Sequence, residues 1–127
     1  MEIDWKVLAE NGMIEIVDGH ESFIDGIDTY LTYGHTTGLM HPIISDGNRS
    51  IFYGADIIPM AAHIPIPWVM AYDIQPLLTV QEKGKLLPKM VDENWILFFE
   101  HDPKLQACTV RQEGKHFKLK EAVTISE

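Results

Sequence analysis

Three short segments carry the residue types most able to do chemistry in this chain: Gly34-His35-Thr36-Thr37-Gly38, Gly54-Ala55-Asp56 and Glu100-His101-Asp102-Pro103. Neutral imidazole nitrogen together with carboxylate oxygen suits a divalent ion such as Zn²⁺, Fe²⁺ or Mn²⁺. A carboxylate bridging two such ions holds them roughly 3.5–4 Å apart, with a shared water-derived nucleophile between them. Each segment directly follows a run that reads as a β-strand, at residues 27–33, 50–53 and 95–99. His35, Asp56 and His101 therefore stand just past strand ends, where loops converge, and the spacing predicts a dinuclear metal centre. Asp56 opens an apolar loop, where a carboxylate is costly unless paired, hydrogen-bonded or metal-bound, and its expected catalytic role is to position the two ions. Simpler roles compete at each position: a turn cap for Asp56, an exposed turn histidine for His35, and a strand-end histidine for His101. Asp102 either orients His101 or makes an ordinary Asp-Pro turn.

The elements that position these segments are legible in outline. Residues 3–10 form a short helix stopped by Asn11-Gly12, and residues 13–17 alternate weakly and read as a strand. The turn Asp25-Gly26 launches a β-branched and aromatic run at 27–32. Residues 41–45 and 50–53 flank Asp46-Gly47-Asn48-Arg49 and predict a hairpin. Residues 57–75 are apolar, yet Pro59, Pro65 and Pro67 exclude a helix interior or central strand. A structured loop beside Asp56 predicts a pocket wall, with His63, Trp68 and Tyr72 as candidate substrate contacts. A helix starts at Gln75-Pro76. Leu77, Val80, Leu87 and Val91 form its apolar stripe, Glu82, Lys83, Lys85 and Lys89 face water, and Pro88 is expected to kink it. The apolar run 95–99 predicts a strand covered on both faces. Residues 107–112 and 116–120 around Glu113-Gly114 predict a terminal hairpin. His20 and His116 read as exposed, and His41 starts a strand with its facing undecided.

The chain has 127 residues, 46% hydrophobic and 23% charged, which is ample for a buried core and gives no sign of disorder. A net charge of −9 argues against nucleic acid as a partner, since phosphate neutralisation needs clustered Lys and Arg. Cys108 is the single cysteine, so neither an internal disulfide nor a cysteine-rich zinc site can form, and its strand position predicts a buried, inert thiol. The first residues show no signal-peptide pattern, and no apolar run approaches the roughly 20 residues of a membrane span. The expectation is a soluble, cytoplasmic protein with no membrane partner.

The order Gly-His-Thr-x-Gly, a strand ending in Asp, a helix, then an apolar strand ending in His-Asp resembles the C-terminal half of a metallo-β-lactamase-fold hydrolase. The resemblance covers residues 13–105 and lies nearest the methyl-parathion-hydrolase-like and lactonase-like branch. It implies an α+β fold that is half of a four-layer αββα sandwich, a mixed sheet with flanking helices. Residues 1–127 would then form a single incomplete domain. It also implies that His35 ligates the first metal, Asp56 bridges, and His101 ligates the second, with zinc the expected ion. In the intact enzyme a metal-bound hydroxide would attack a small-molecule ester, lactone or phosphoester.

Departures from the family pattern shape the expectation. Tyr33 and Thr37 replace two prolines of the Gly-His motif, and Leu39 stands where a second histidine is usual. Pro59 occupies the neighbourhood of the lactonases' pocket tyrosine. The His-x-His-x-Asp-His motif of the first half is absent, since none of the six histidines lies two from another. This chain alone is therefore expected to be inactive, a truncated domain. Its expected partner is the missing N-terminal half or a second copy of itself, which makes it an oligomer. The rival reading is a non-catalytic oligomerising or binding protein built on the half-fold.

Overall fold

The structure, a computed structural model, describes residues 2–19 and 22–125; His20 lies outside them. Helix α1 (Glu2–Glu10) precedes strands β1 (Ser22–Ile24), β2 (Ile27–Thr32), β3 (Leu39–Ser45) and β4 (Ser50–Tyr53). Helix α2 (Pro76–Asp92) is followed by β5 (Ile96–Phe98), β6 (Ala107–Glu113) and β7 (His116–Val123). The strands build one seven-stranded sheet in chain order. Every neighbouring pair is antiparallel except β4–β5, which is parallel. A parallel pair cannot be closed by a tight turn, so the chain crosses over between them, through the proline-rich loop and α2. This mixed sheet with few helices is half of the anticipated sandwich, and it fixes where the candidate ligands sit. Because β2 and β4 are each antiparallel to β3, and β5 is parallel to β4, the C-terminal ends of β2, β4 and β5 share one sheet edge. His35, Asp56 and His101 follow those three ends.

One face of the sheet carries the core. Phe52, Leu97, Cys108, Val110 and Phe117 pack against Leu86, Leu87 and Met90 of α2, joined by Ile57, Ile58 and Ile64 from the crossover loop. The apolar character of that loop thus serves the core at these three positions. Its central residues Ala61–His63 form one turn of 3-10 helix. Phe52 anchors a ring stack, with Trp95 at 5.8 Å and 10° and His41 at 5.1 Å and 22°. His41 faces inward, fully buried. The buried Cys108 thiol, pushed up to about 12 by burial, is the inert thiol expected.

Several expectations need correction. Residues 13–17 form no strand, and Met13 and Ile16 are exposed; the alternation finds no neighbouring strand to pair with. The buried stripe of α2 is Thr79, Lys83, Leu86, Leu87 and Met90, and Leu77 is 78% exposed. Lys83 therefore does not face water. Pro88 lies inside α2 without ending it. The five-residue apolar run yields a strand of three, β5, with Trp95 and Phe99 buried beyond its ends.

The opposite face of the sheet is apolar without a comparable cover. Ile44 and Met40 are exposed there, and Ile51, Ile96, Val123 and Ile125 line an open concavity with Ile44. Leu97 is fully buried on the helix side while Ile96 and Phe98 are only half-buried. The strand expected to be covered on both faces is covered on one.

Candidate metal centre

Asp56 sits on a tight turn beyond β4. Gly54 donates its N–H to the Phe98 carbonyl, and the Ile57 amide returns to the Gly54 carbonyl. A Cβ at Gly54 would lie 2.8 Å from the Ile58 carbonyl oxygen, so only glycine fits. Ala55 takes φ 40°, a left-handed conformation that costs an L-residue roughly 1–2 kcal/mol. The backbone strain is adjacent to the candidate bridging residue.

From this turn the Asp56 carboxylate faces two imidazoles with different oxygens. Its Oδ2 lies 3.5 Å from His35 Nε2, and its Oδ1 lies 3.1 Å from His101 Nε2. The three residues predicted from separate parts of the sequence are brought together. Glu100 adds a further carboxylate, and ligand atoms of Asp56, Glu100 and His101 all lie within 4.8 Å of one another. Glu100 is a ligand candidate that the sequence motif contains without singling it out.

His35 is held by the start of α2. Both oxygens of Glu82 accept backbone N–H bonds, from Tyr33 at 2.7 Å and Gly34 at 3.0 Å. The Gln75 amide donates to the Gly34 carbonyl at 2.8 Å, and the Ile74 amide donates to the His35 carbonyl at 3.1 Å. A Cβ on Gly34 would collide with the backbone and side chain of Thr79. The first glycine of the Gly-His motif is there for close approach to a helix. Within this frame His35 Nδ1 meets Asp73 Oδ1 at 2.8 Å, and the Asp73 side chain is wholly buried.

The crossover loop is pinned from inside. The Lys83 ammonium donates to the carbonyls of His63, Pro65 and Trp68 at 2.6, 2.9 and 2.7 Å. Burial pulls it down to about 8, against the opposing pull of the Asp73 carboxylate. Asp102 holds the same loop from its other side. Its Oδ2 accepts from the Ala61 amide, and its Oδ1 accepts from the amides of Lys104 and Leu105. Asp102 thus makes the turn, and His101 contacts Asp56 instead. Asp73 and Lys83 carried no sequence signal; each reads as one polar residue in a loop or a charged helix.

The three candidate pocket residues part company. Tyr72 lies beside the site, its ring 5.9 Å from the His35 ring. Trp68 is 62% exposed. His63 is half-buried with Nδ1 unpartnered, and burial followed by the Lys83 charge holds its imidazole below the ordinary range. His116 is exposed, as expected.

No family model and no curated protein sequence matches the chain. Solved structures do. The chain is similar to a probable metal-dependent hydrolase from Staphylococcus aureus, with 24% identity and a TM-score of 0.74, covering 90% of this chain and 42% of that one. It is similar to AidC, a dizinc quorum-quenching lactonase in complex with a product, with 21% identity and a TM-score of 0.75, covering 93% and 41%. It is also similar to AbOPH, a hydrolase in the beta lactamase superfamily, with 16% identity and a TM-score of 0.73, covering 96% and 42%. The chain thus has part of the metallo-β-lactamase-type fold, and it spans about two-fifths of the length of these structures. Among the described residues, no helix is long and apolar enough to cross a membrane.

Proposed function

We propose that this chain supplies one side of a two-ion hydrolytic centre, with His35 and His101 as ligands and Asp56 as the bridge. The observation that carries the reading is the division of the Asp56 carboxylate, one oxygen toward each imidazole. A mixed oxygen and nitrogen donor set of this kind fits zinc. The ions, when bound, supply Lewis acidity and an activated water for an ester, lactone or phosphoester. The chain's own residues set the geometry. The strained turn at Ala55 aims Asp56 between the histidines, the Glu82 clamp fixes His35, and Tyr72, its ring 5.9 Å from that of His35, would contact the substrate. The remaining ligands come from the partner half, or a second copy, packed on the uncovered sheet face around Ile44 and Ile96.

Calorimetric titration of the chain with Zn²⁺ tests this. Saturable binding that is lost in Asp56→Ala, with the fold retained by circular dichroism, is expected. Binding that Asp56→Ala leaves unchanged overturns the ligand assignment. A folded wild-type chain that takes up no zinc favours the metal-free oligomerising scaffold.

A further inference from the structure

We infer that Asp73 is a positioning residue that fixes which nitrogen of His35 faces the ion, an inference resting on the reading of His35 as a ligand. Asp73 faces the charge of the buried Lys83 ammonium, yet its hydrogen bond goes to the His35 ring. Its side chain has no exposed surface, Oδ1 takes one hydrogen bond, and Oδ2 has no hydrogen-bond partner among the described residues. A buried carboxylate left half-satisfied is costly, and a position whose only task was packing would be filled better by an apolar residue.

The bond it does make has a direction. A carboxylate only accepts, so His35 Nδ1 carries the hydrogen and donates it to Asp73 Oδ1. In the neutral ring that leaves Nε2 with its lone pair, aimed at Asp56 Oδ2 across 3.5 Å. Two electron-rich atoms facing each other at that distance are complementary to a cation between them. Asp73 also sets the ring's rotation, because the His35 backbone is already fixed by the Ile74 amide, next in sequence to Asp73. One short segment, residues 73–75, thus grips His35 by its carbonyl, its preceding carbonyl and its ring. Such carboxylate–histidine–metal arrangements fix the tautomer and raise the basicity of the ligating nitrogen, and removing the carboxylate costs roughly 10–100-fold in metal affinity.

The test uses the whole chain with Zn²⁺ alone. Asp73→Ala is expected to weaken zinc binding by about 10–100-fold, and Asp73→Asn, which keeps an oxygen acceptor at the same place, to restore most of it. Nitrogen-15 NMR of the zinc-saturated wild-type chain is expected to show His35 bound through Nε2 with a slowly exchanging hydrogen on Nδ1. That hydrogen's signal should be lost in Asp73→Ala and kept in Asp73→Asn. Coordination through Nδ1, or equal affinities in wild type and a folded Asp73→Ala, overturns the inference. If Asp73→Ala is unfolded, the Asp73→Asn signal decides by itself: loss of the Nδ1 hydrogen there sinks the proposal. Should Asp56→Ala abolish binding while Asp73→Ala does not, the metal reading stands and only the positioning role falls. Should neither matter, the ligand reading has failed first.

Discussion

The two histidines flanking Asp56 are built in opposite ways. His35 is inside the protein, its side chain 9% exposed, with its flanking backbone tied to α2 and its ring tied to Asp73. His101 stands on an open rim, its side chain 51% exposed, steadied by a backbone bond to the Pro59 carbonyl and by Asp56 itself. A ligand locked by packing and outer hydrogen bonds loses little freedom when an ion arrives, whereas an exposed one must be ordered at that moment. On the proposed reading, one arm of the site is held rigidly inside this chain, while the other stands exposed on its surface.

The same substitution at both arms gives the largest contrast. His35→Ala removes the hydrogen donor from a wholly buried carboxylate, and stranding a buried charged acceptor in this way costs about 3 kcal/mol or more. His101→Ala should stay within about 0.5 kcal/mol, as for other exposed side chains. Urea unfolding of the metal-free variants measures both. Equal losses would erase the proposed difference between the arms.

A third histidine sharpens the contrast, because His41 is buried on the same sheet with both ring nitrogens hydrogen-bonded within the chain. Its Nε2 meets Thr32 Oγ1 at 2.8 Å and its Nδ1 meets the Tyr53 carbonyl at 3.1 Å. Burial lowers it from 6.5 to about 4, outweighing the opposing effect of the Tyr53 bond. The unfolded chain takes up this proton below pH 6.5 and the folded chain only near pH 4. Stability from this group is therefore full above pH 6.5 and drains away as pH falls toward 4, by about 3 kcal/mol in total. Unfolding free energies measured across that window should lose about one proton's worth of slope in His41→Leu. An unchanged slope would mean that His41 is not the group responsible.

How much of this was visible beforehand depends on range along the chain. His35, Asp56 and His101 were legible because each follows an apolar strand, a local signal, and strand order then gathers them on one edge. The crossover helix start at Pro76 was local as well. Lys83 departs from its sequence expectation because burial of a lysine is decided elsewhere: its three hydrogen bonds go to carbonyls 15–20 residues upstream. Asp73 is the same case, its partner lying 38 positions away. The false strand at residues 13–17 has the alternation but lacks an adjacent strand, and a lone pattern cannot supply one.

The frame around His35 can be loosened without touching the histidine. Gly34→Ala places a methyl group against the Thr79 backbone, which no rotamer can relieve. Forced overpacking of this kind costs about 2 kcal/mol. The variant should also weaken zinc binding, since the loop must lift off α2. A fully stable Gly34→Ala chain would show that the close approach to the helix is not needed.

Glu82→Gln is the mildest probe and separates clamp from charge. The wild-type carboxylate receives the Tyr33 and Gly34 amides on its two oxygens. Glutamine keeps one acceptor and turns the other oxygen into a donor, so one backbone N–H loses its partner near a partly exposed surface where water substitutes for it. The expected loss is about 1 kcal/mol, that of one net hydrogen bond. Amide exchange reads the position of the change: protection should fall at Tyr33 or Gly34 and stay unchanged at His101, whose amide bonds to Pro59 on the other arm. Deprotection spreading to both arms would show that they are one cooperative unit, and the division between a finished ligand and an open one would then hold for exposure but not for rigidity.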